Sequence, residues 1–316
     1  MLKKRAHPPL LVEVRRIWDH ADHNAFTDLA LYKGKFYCTF RESNEHEKGK
    51  NGVIRTLKSD EGRVWESLAL IEEEGVDLRD PKLSTTPDGK LHLLMGGSIY
   101  DAQGKFVSRW TRATVSVDGT HFAPLKKVLD LNSWLWRLTW HQGVGYGVSY
   151  YCRENRWDVV LYKTVDGENF EKVADLNLDH FPSEATVRFR TNEEMLILMR
   201  RSEEWHTHAL FGRAYPPYTS WEWVDIGYSL GGPNFVISRE GKLWICGRLL
   251  YGGPWGLFAR TALLTEDAHG FRRELILPSF GDTSYPGLVW EAGFLWISYY
   301  SSHEGKAAIY LAKILM

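Results

Sequence analysis

A Gly- or acid-marked turn followed by a short apolar run of strand character recurs six times along the chain, at intervals close to fifty residues. The pairs are Lys33-Gly34-Lys35 before Phe36–Phe40, Asp88-Gly89-Lys90 before Leu91–Met95, and Gln142-Gly143 before Tyr146–Tyr150. They continue with Glu193-Glu194 before Met195–Met199, Glu240-Gly241-Lys242 before Leu243–Gly247, and Ala292-Gly293 before Phe294–Tyr299. Turn positions 34, 89, 143, 193, 241 and 293 are separated by steps of 55, 54, 50, 48 and 52. One such period accommodates one four-stranded propeller blade, so the sequence predicts an all-β, six-bladed β-propeller with four-stranded antiparallel blades. The expected blades span about 22–75, 76–130, 131–178, 179–228, 229–278 and 279–316, with a strand at 10–18 pairing into the last blade to close the ring. A repeat running through residues 1–316 reads as a single propeller domain.

A second beat supports the first. Asp60-Glu61-Gly62-Arg63-Val64-Trp65, Asp118-Gly119-Thr120-His121-Phe122 and Asp166-Gly167-Glu168-Asn169-Phe170 each place Asp and Gly ahead of an aromatic, and Asp267-Ala268-His269-Gly270-Phe271 is a looser form. Asp bonds the backbone of its own turn, Gly supplies positive φ, and the aromatic fills the space between sheets. These turns are structural.

Charge and cysteine usage narrow the partners. Lys plus Arg (39) nearly cancels Asp plus Glu (40), so no overall field recruits nucleic acid or an acidic membrane. Cys38, Cys152 and Cys246 are odd in number and far apart, which fits buried free thiols better than a disulfide framework. The opening residues do not form a signal peptide and no apolar run is long enough for a membrane helix, so the chain as given is expected to be cytoplasmic. No ligand spacing for a metal, no phosphate loop and no cofactor motif is visible.

Register then locates candidate chemistry. If inner strands start at the channel mouth and second strands end there, the first position offers His23-Asn24, Arg79-Asp80, Trp136-Arg137, Ser183-Glu184, Pro233-Asn234 and Ser284-Tyr285. The second offers Arg41, Arg200-Arg201, Arg248 and Tyr299-Tyr300 among others. Five blades thus bring Arg41, Arg79, Arg137, Arg200 and Arg248 toward one space, more cations than Asp80 and Glu184 neutralise. Convergent guanidinium forks suit a carboxylate or phosphate, and an acidic glycan is the expected partner. Trp136, Trp140 and Trp255 could stack on sugar rings.

The order of motifs resembles the sialidase (neuraminidase) superfamily, whose six-bladed propellers carry Asp boxes of pattern Ser-x-Asp-x-Gly-x-Thr-Trp. Lys58-Ser59-Asp60-Glu61-Gly62-Arg63-Val64-Trp65 keeps the Asp, Gly and Trp of that pattern. The resemblance implies that Glu184 and Arg200 are the family's blade-four glutamate and triad arginine, that Tyr285 is the nucleophile, and that Arg248 is a further triad arginine. Arg41 resembles another arginine of the family. Two departures stand out: blade one opens with His23-Asn24-Ala25-Phe26 in place of Arg-Ile-Pro, and the loop after Arg41 reads Glu42-Ser43-Asn44-Glu45-His46-Glu47 with no acid/base Asp.

What the resemblance implies is an exo-acting, retaining glycoside hydrolase for a terminal acidic sugar such as sialic acid. Arginines would hold the sugar carboxylate, Glu184 would take the phenolic proton of Tyr285, and Tyr285 would attack the anomeric carbon. His46 or Glu45 would protonate the leaving oxygen. Two other readings stay open. His303, beside Tyr299 and Tyr300, would suit a lyase or hydrolase acting on a uronic acid or rhamnose–uronic acid linkage, with His23 among the groups lining the mouth, and a non-catalytic carbohydrate-binding propeller is the third.

Overall fold

The computed structural model describes residues 8–47, 49–253 and 256–316, and every regular element among them is a β-strand. The strands form six antiparallel sheets, each ordered from an inner to an outer strand. Blade one is His23–Tyr32, Lys35–Ser43, Val53–Ser59 and Glu66–Ile71; blade two is Asp77–Thr85, Leu91–Tyr100, Phe106–Ser116 and Lys126–Val128. In blade three the inner strand is broken into Trp134–Leu135 and Thr139–His141, followed by Val144–Cys152, Trp157–Thr164 and Phe170–Asp175. Blade four is Pro182–Phe189, Met195–Arg201, Leu210–Ala214 and Glu222–Asp225, and blade five is Leu230–Ile237, Leu243–Gly253, Gly256–Asp267 and Gly270–Ile276. Blade six takes Thr283–Glu291, Phe294–Ser301 and Ala308–Leu315 from the end of the chain and Leu10–Trp18 from its start. The six-bladed, all-β propeller expected from the repeat is what forms.

Burial follows from blade geometry. Middle strands are covered on both faces by neighbouring sheets and are nearly continuous hydrophobic runs, as in Met195-Leu196-Ile197-Leu198-Met199, all fully buried. Outermost strands face water on one side and keep polar residues, as in Glu222–Asp225. The ring is closed by the pairing of Leu10–Trp18 with Ala308–Leu315 and, nearer the channel, by Asn24 N–H donating to Ala307 O at 3.0 Å. Such closure gives the last blade its outer strand from the start of the chain and joins the two ends of the ring. Cys38 and Cys246 are buried, Cys152 is partly so, and all three are free thiols. No helix among the described residues is long and apolar enough to cross a membrane.

Inner strands of adjacent blades are tied by side chains reaching across the channel wall. Thr27 Oγ1 donates to Tyr285 O at 2.7 Å, Ser284 Oγ to Gly231 O at 2.6 Å, Thr186 Oγ1 to Pro233 O at 3.0 Å and Thr139 Oγ1 to Val187 O at 2.7 Å. These bonds fix blade against blade where the functional side chains are presented.

Candidate active site

Five inner strands carry a β-bulge near the mouth, where pairing slips between Ala25 and Asp28, Arg79 and Lys82, Pro182 and Ala185, Gly231 and Asn234, and Ser284 and Gly287. At four of them the first bulged residue is left-handed: Phe26 at φ 63, Asp80 at 53, Gly232 at 59 and Tyr285 at 53. Three of these are not glycine, and holding such a residue there costs about 1–3 kcal/mol. Pro81, Pro233 and Pro286 follow directly, tolerated because the bulged residue has no ladder partner for an N–H. The bulges re-aim Phe26, Asp80 and Tyr285 into a cavity of about 410 Å³ at the mouth of the channel.

Tyr285 and Glu184 form the centre of this cavity. The Tyr285 hydroxyl donates to Glu184 Oε1 at 2.6 Å; Arg200 Nη1 donates to the same oxygen at 2.7 Å, and Gly232 N–H to Oε2 at 2.7 Å. Gly232 is required here, since a Cβ at that position would lie 2.5 Å from Ser284 Oγ and 2.9 Å from the Tyr285 nitrogen. Burial alone would raise the Glu184 carboxyl, but the Arg200 charge and the hydrogen bonds from Tyr285, Arg200 and Gly232 outweigh it and hold the group below its ordinary value. Burial, reinforced by Glu184, pushes the Tyr285 phenol well above its ordinary value, so it rests protonated.

Asp80 lines the same cavity in a different state. Its Oδ1 is buried without a hydrogen-bond partner among the described residues, and burial pushes the carboxyl up to about 6 against the opposing charge of Lys82. Lys82 is 3% exposed and lowered to about 8 by burial; its ammonium lies 4.5 Å from the centre of the Trp136 ring and 5.7 Å from that of Tyr285. The two carboxyl groups nearest Tyr285 are therefore displaced in opposite directions, Glu184 toward the ionised form and Asp80 toward the neutral one.

Of the five arginines expected to converge, three line the cavity: Arg79, Arg200 and Arg248. Arg79 is neutralised by Asp77 at 2.6 Å and Glu47 at 3.2 Å, and it also donates to the Tyr100 hydroxyl. Arg248 has no ion pair among the described residues, and its Nε is buried without a partner. Arg41 does not reach the cavity. It is 0% exposed, donates to Asp77 Oδ1 at 2.8 Å and 3.1 Å and to Glu45 O at 2.8 Å, and thus braces the 44–47 loop from behind. Arg137 also lies off the cavity, paired with the fully buried Asp28 at 2.8 Å. Beside it Arg188, lowered to about 9 by burial and by Arg137, donates to Thr139 Oγ1, Val187 O and Asn234 Oδ1.

The other candidates separate in the same way. His46 lines the cavity, edge-on to Phe26 with centroids 4.9 Å apart, and its Nδ1 donates to Asp282 Oδ2 at 2.8 Å. His23 sits behind it on the same Asp282 oxygen at 2.8 Å, while the Tyr300 hydroxyl donates to Oδ1 at 2.7 Å. Two imidazole nitrogens and a carboxylate oxygen within 4.8 Å of one another are a donor set that a first-row divalent metal accepts. Here Asp282 already receives three hydrogen bonds, and the cluster works as a brace for His46. Glu45 is exposed and its side chain is not on the cavity; the bend at residues 44–47 brings Glu47 to it instead. His303 packs on Tyr310 and bonds Ser301 Oγ, away from the cavity. Trp136 packs against Tyr285 at 5.5 Å, Trp140 bonds Ser84 Oγ outside the cavity, and Trp255 lies outside the described residues.

Sequence reasoning missed Arg109, Glu47 and Lys82. Arg109 comes from the third strand of blade two, whereas register was followed only along the first two strands of each blade. Lys82 lies just past the bulge between Arg79 and Lys82, where strand alternation is interrupted, so spacing alone gave no signal for it.

No family model matches the sequence, and no curated protein matches it. Solved structures do. A protein of unknown function from Dyadobacter fermentans superposes with a TM-score of 0.82 at 16% identity, covering 98% of this chain and 100% of the other. The α-L-arabinofuranosidase of Fusarium graminearum, in a mutant bound to an iminosugar inhibitor, gives 0.72 at 14% identity over 96% and 98%. The Trypanosoma rangeli sialidase bound to the inhibitor DANA gives 0.71 at 11% identity, covering 98% of this chain and 58% of that one. The shared feature is the six-bladed propeller fold.

Proposed function

We propose that the protein is a retaining exo-glycoside hydrolase acting on a terminal sugar that carries a carboxylate. The observation that carries this reading is the buried hydrogen bond from the Tyr285 hydroxyl to Glu184 Oε1 at 2.6 Å, beside Arg200 and the unpaired Arg248. A neutral phenol approaches a carbon that bears a carboxylate without the repulsion a carboxylate nucleophile would meet, and sialidases use a tyrosine in this way. Arg200 and Arg248 bind the sugar carboxylate. The Tyr285 oxygen attacks the anomeric carbon as its proton passes to Glu184, and the glycosidic C–O bond breaks as the leaving oxygen takes a proton from Asp80. Water then gives a proton to Asp80 and attacks the anomeric carbon, the aryl glycosidic bond between that carbon and the Tyr285 oxygen breaks, and Glu184 returns its proton to the departing Tyr285 phenolate. In this scheme Asp80 takes the acid role that sequence assigned to His46 or Glu45, and His46 orients the sugar from the Asp282 brace.

Both families among the structural neighbours, one with arabinofuranosidase names and one with sialidase names, are glycosidases, which favours hydrolysis over lectin function. The position of His303 away from the cavity removes the main support for a lyase. The blade-one arm of a three-arginine carboxylate clamp is replaced by the Phe26 ring, 5.0 Å from that of Tyr285, so the clamp has two arms and a flat apolar side.

One observation favours a second mechanism. Glu184 is held ionised and Asp80 is pushed toward neutrality, the usual division between nucleophile and acid in two-carboxylate glycosidases. Tyr285 would then only position Glu184, and a neutral furanoside would be acceptable. Chromogenic α-sialosides, uronides and α-L-arabinofuranosides, tested on wild type, Tyr285→Phe and Glu184→Gln, decide between them. The proposal expects turnover of an acidic glycoside alone, lost by about 10³-fold or more in Tyr285→Phe with substrate affinity kept. Turnover of the neutral furanoside that survives in Tyr285→Phe but not in Glu184→Gln would replace it with the second mechanism.

A further inference from the structure

The charges around the cavity do not balance on one side. Arg79 is matched by Asp77 and Glu47, and Arg200 by Glu184. Two guanidinium groups remain without an ion pair among the described residues: Arg248 from blade five and Arg109 from blade two. In a six-membered ring those blades stand opposite each other, so the two free cations face the cavity from opposite walls. One carboxylate beside Tyr285 serves Arg248 and Arg200, and it leaves Arg109 unanswered.

Arg109 is also held ready. Its guanidinium lies 4.8 Å from the centre of the Phe106 ring and 5.5 Å from that of Trp134, and the hydrogen bond it makes is a weak one to Cys152 Sγ at 3.5 Å. Aromatic faces stabilise the cation and fix its plane without neutralising it, which leaves the rest of its fork of N–H donors free. The wall beneath is built for this. A Cβ on Gly96 would fall 2.3 Å from the Trp134 ring, so only glycine lets the indole lie flat against the second strand of blade two. Tyr150 continues the same surface, its ring 6.4 Å from that of Trp134.

We propose that the wall formed by Arg109, Phe106, Trp134 and Tyr150 is a second anion subsite, and that the substrate is an acidic disaccharide or longer glycan with a carboxylate or sulfate on the sugar next to the terminal one. The Phe106 ring, 40% exposed, takes the second sugar ring and Arg109 takes its anionic group, with the buried Trp134 and Tyr150 backing the wall, while the terminal sugar occupies the Tyr285 end. The cavity of about 410 Å³ exceeds what a single sugar ring fills. This inference rests on the reading of the cavity as an acidic-sugar site.

The test is calorimetric titration of the full-length protein at fixed ionic strength with singly and doubly acidic ligands. The probes are sialic acid against its S-linked disaccharide, and galacturonic acid against S-linked digalacturonic acid, since S-linked sugars are not turned over. For whichever pair binds, the doubly acidic ligand is expected to bind at least about tenfold more tightly than the single sugar, the value of one charge-assisted contact. Arg109→Gln should reduce that ratio by about tenfold, the share of the charge-assisted contact, and leave the monosaccharide affinity unchanged, and Arg109→Lys, which keeps the charge, should retain part of it. A ratio near one in the wild type, or a ratio that survives in Arg109→Gln, overturns the subsite while leaving the acidic-sugar reading standing. If neither monosaccharide nor disaccharide binds the wild type, the acidic-sugar reading itself fails and the subsite falls with it.

Discussion

The two ends of the propeller are built on opposite terms. At the end away from the mouth, the turns between third and fourth strands in blades one to three satisfy themselves. In blade three Gly167 N–H donates to Thr164 Oγ1 at 2.9 Å, and the N–H groups of Glu168 and Asn169 both donate to Asp166 Oδ1 at 2.8 Å. Blade two repeats the pattern with Ser116, Asp118 and Gly119, and blade one keeps its Ser59–Gly62 part. At the mouth, by contrast, the left-handed residues Phe26, Asp80 and Tyr285 sit in bulges inside strands rather than in hairpin turns as Lys33 and Ala292 do at the far end, and Asp80 Oδ1, Arg248 Nε and His23 Nδ1 are buried without partners among the described residues. Turn ends that are locally satisfied contribute stability. A mouth held in strained backbone with unmatched charge is stabilised by the rest of the ring and is available for binding and chemistry.

If that division holds, relieving the mouth should cost activity and add stability. Asp80→Asn is the largest case. It removes the proposed acid and should lower turnover by about 10²–10⁴-fold. It should also abolish the alkaline limb of the pH–rate profile, which for the wild type falls as pH rises through about 6. The sign for stability is opposite. A carboxyl raised from 3.8 unfolded to about 6 folded favours the folded state only while protonated, so ionising it at pH 7–8 destabilises the wild type by up to about 3 kcal/mol. Urea melts should therefore show Asp80→Asn more stable than wild type at pH 7.5 and little different near pH 4. A variant that is less stable at both pH values would mean that Asp80 is a structural group.

The turn end has its own pH signature, of comparable size but with no effect on rate at its optimum. His92, 0% exposed in the second strand of blade two, bonds Gly167 O in the blade-three turn at 3.3 Å, and burial lowers it to about 4. A histidine depressed from about 6.5 unfolded to about 4 folded gives stability that is complete above pH 6.5 and is lost as pH falls through 4, about 3 kcal/mol in all. His92→Gln keeps a donor for Gly167 O and does not titrate. The difference in unfolding free energy between pH 7 and pH 4 should shrink by about that amount, and an unchanged difference would place the acid sensitivity elsewhere.

What could be read from the sequence follows the same division. The blade period and the Asp-Gly turns are local, with every bond made within a few residues, and they predicted the six-bladed fold. Tyr285, Glu184, Arg200 and Arg248 were found because strand register alone brings them to the mouth. Register could not show which arginines are already neutralised. Arg41 is claimed by Asp77 across a blade boundary, and Arg137 by Asp28, 109 positions earlier in the chain. Nor could it show the left-handed bulge at Asp80, which turns a residue read as a counter-charge for the arginines into the one cavity carboxyl raised by burial. Glu47 replaced Glu45 because the loop bends while being braced by Arg41, and a loop has no fixed alternation.

A smaller effect sharpens the account of the mouth. Lys82 is the largest charge lowering the Asp80 carboxyl. Its ammonium rests on the Trp136 and Tyr285 rings, and the hydrogen bond it makes is to Pro81 O at 3.2 Å. Lys82→Met keeps the length and fills the same space, so the alkaline limb of the pH–rate profile should move upward by about one unit, equivalent to about 1.4 kcal/mol. A profile that does not move would mean that Asp80 does not set the limb.

The smallest expected effect completes the contrast from the other side. Asp166 is exposed, and its carboxylate is held below its ordinary value by hydrogen bonds from Asn169 and from the backbone N–H groups of Asn169 and Glu168, which together outweigh the slight burial that would raise it. Asp166→Ala removes those acceptor oxygens but leaves Gly167 in its positive-φ position and Thr164 bonded to it. The donors it releases turn to water, so the loss should be about 1 kcal/mol, and less at low pH as the wild-type carboxylate is itself protonated. Turnover, substrate affinity and the pH–rate profile should match wild type, because no atom of the turn reaches the cavity. A rate loss as large as that of Asp80→Asn would show that the two ends of the propeller are coupled through the strands.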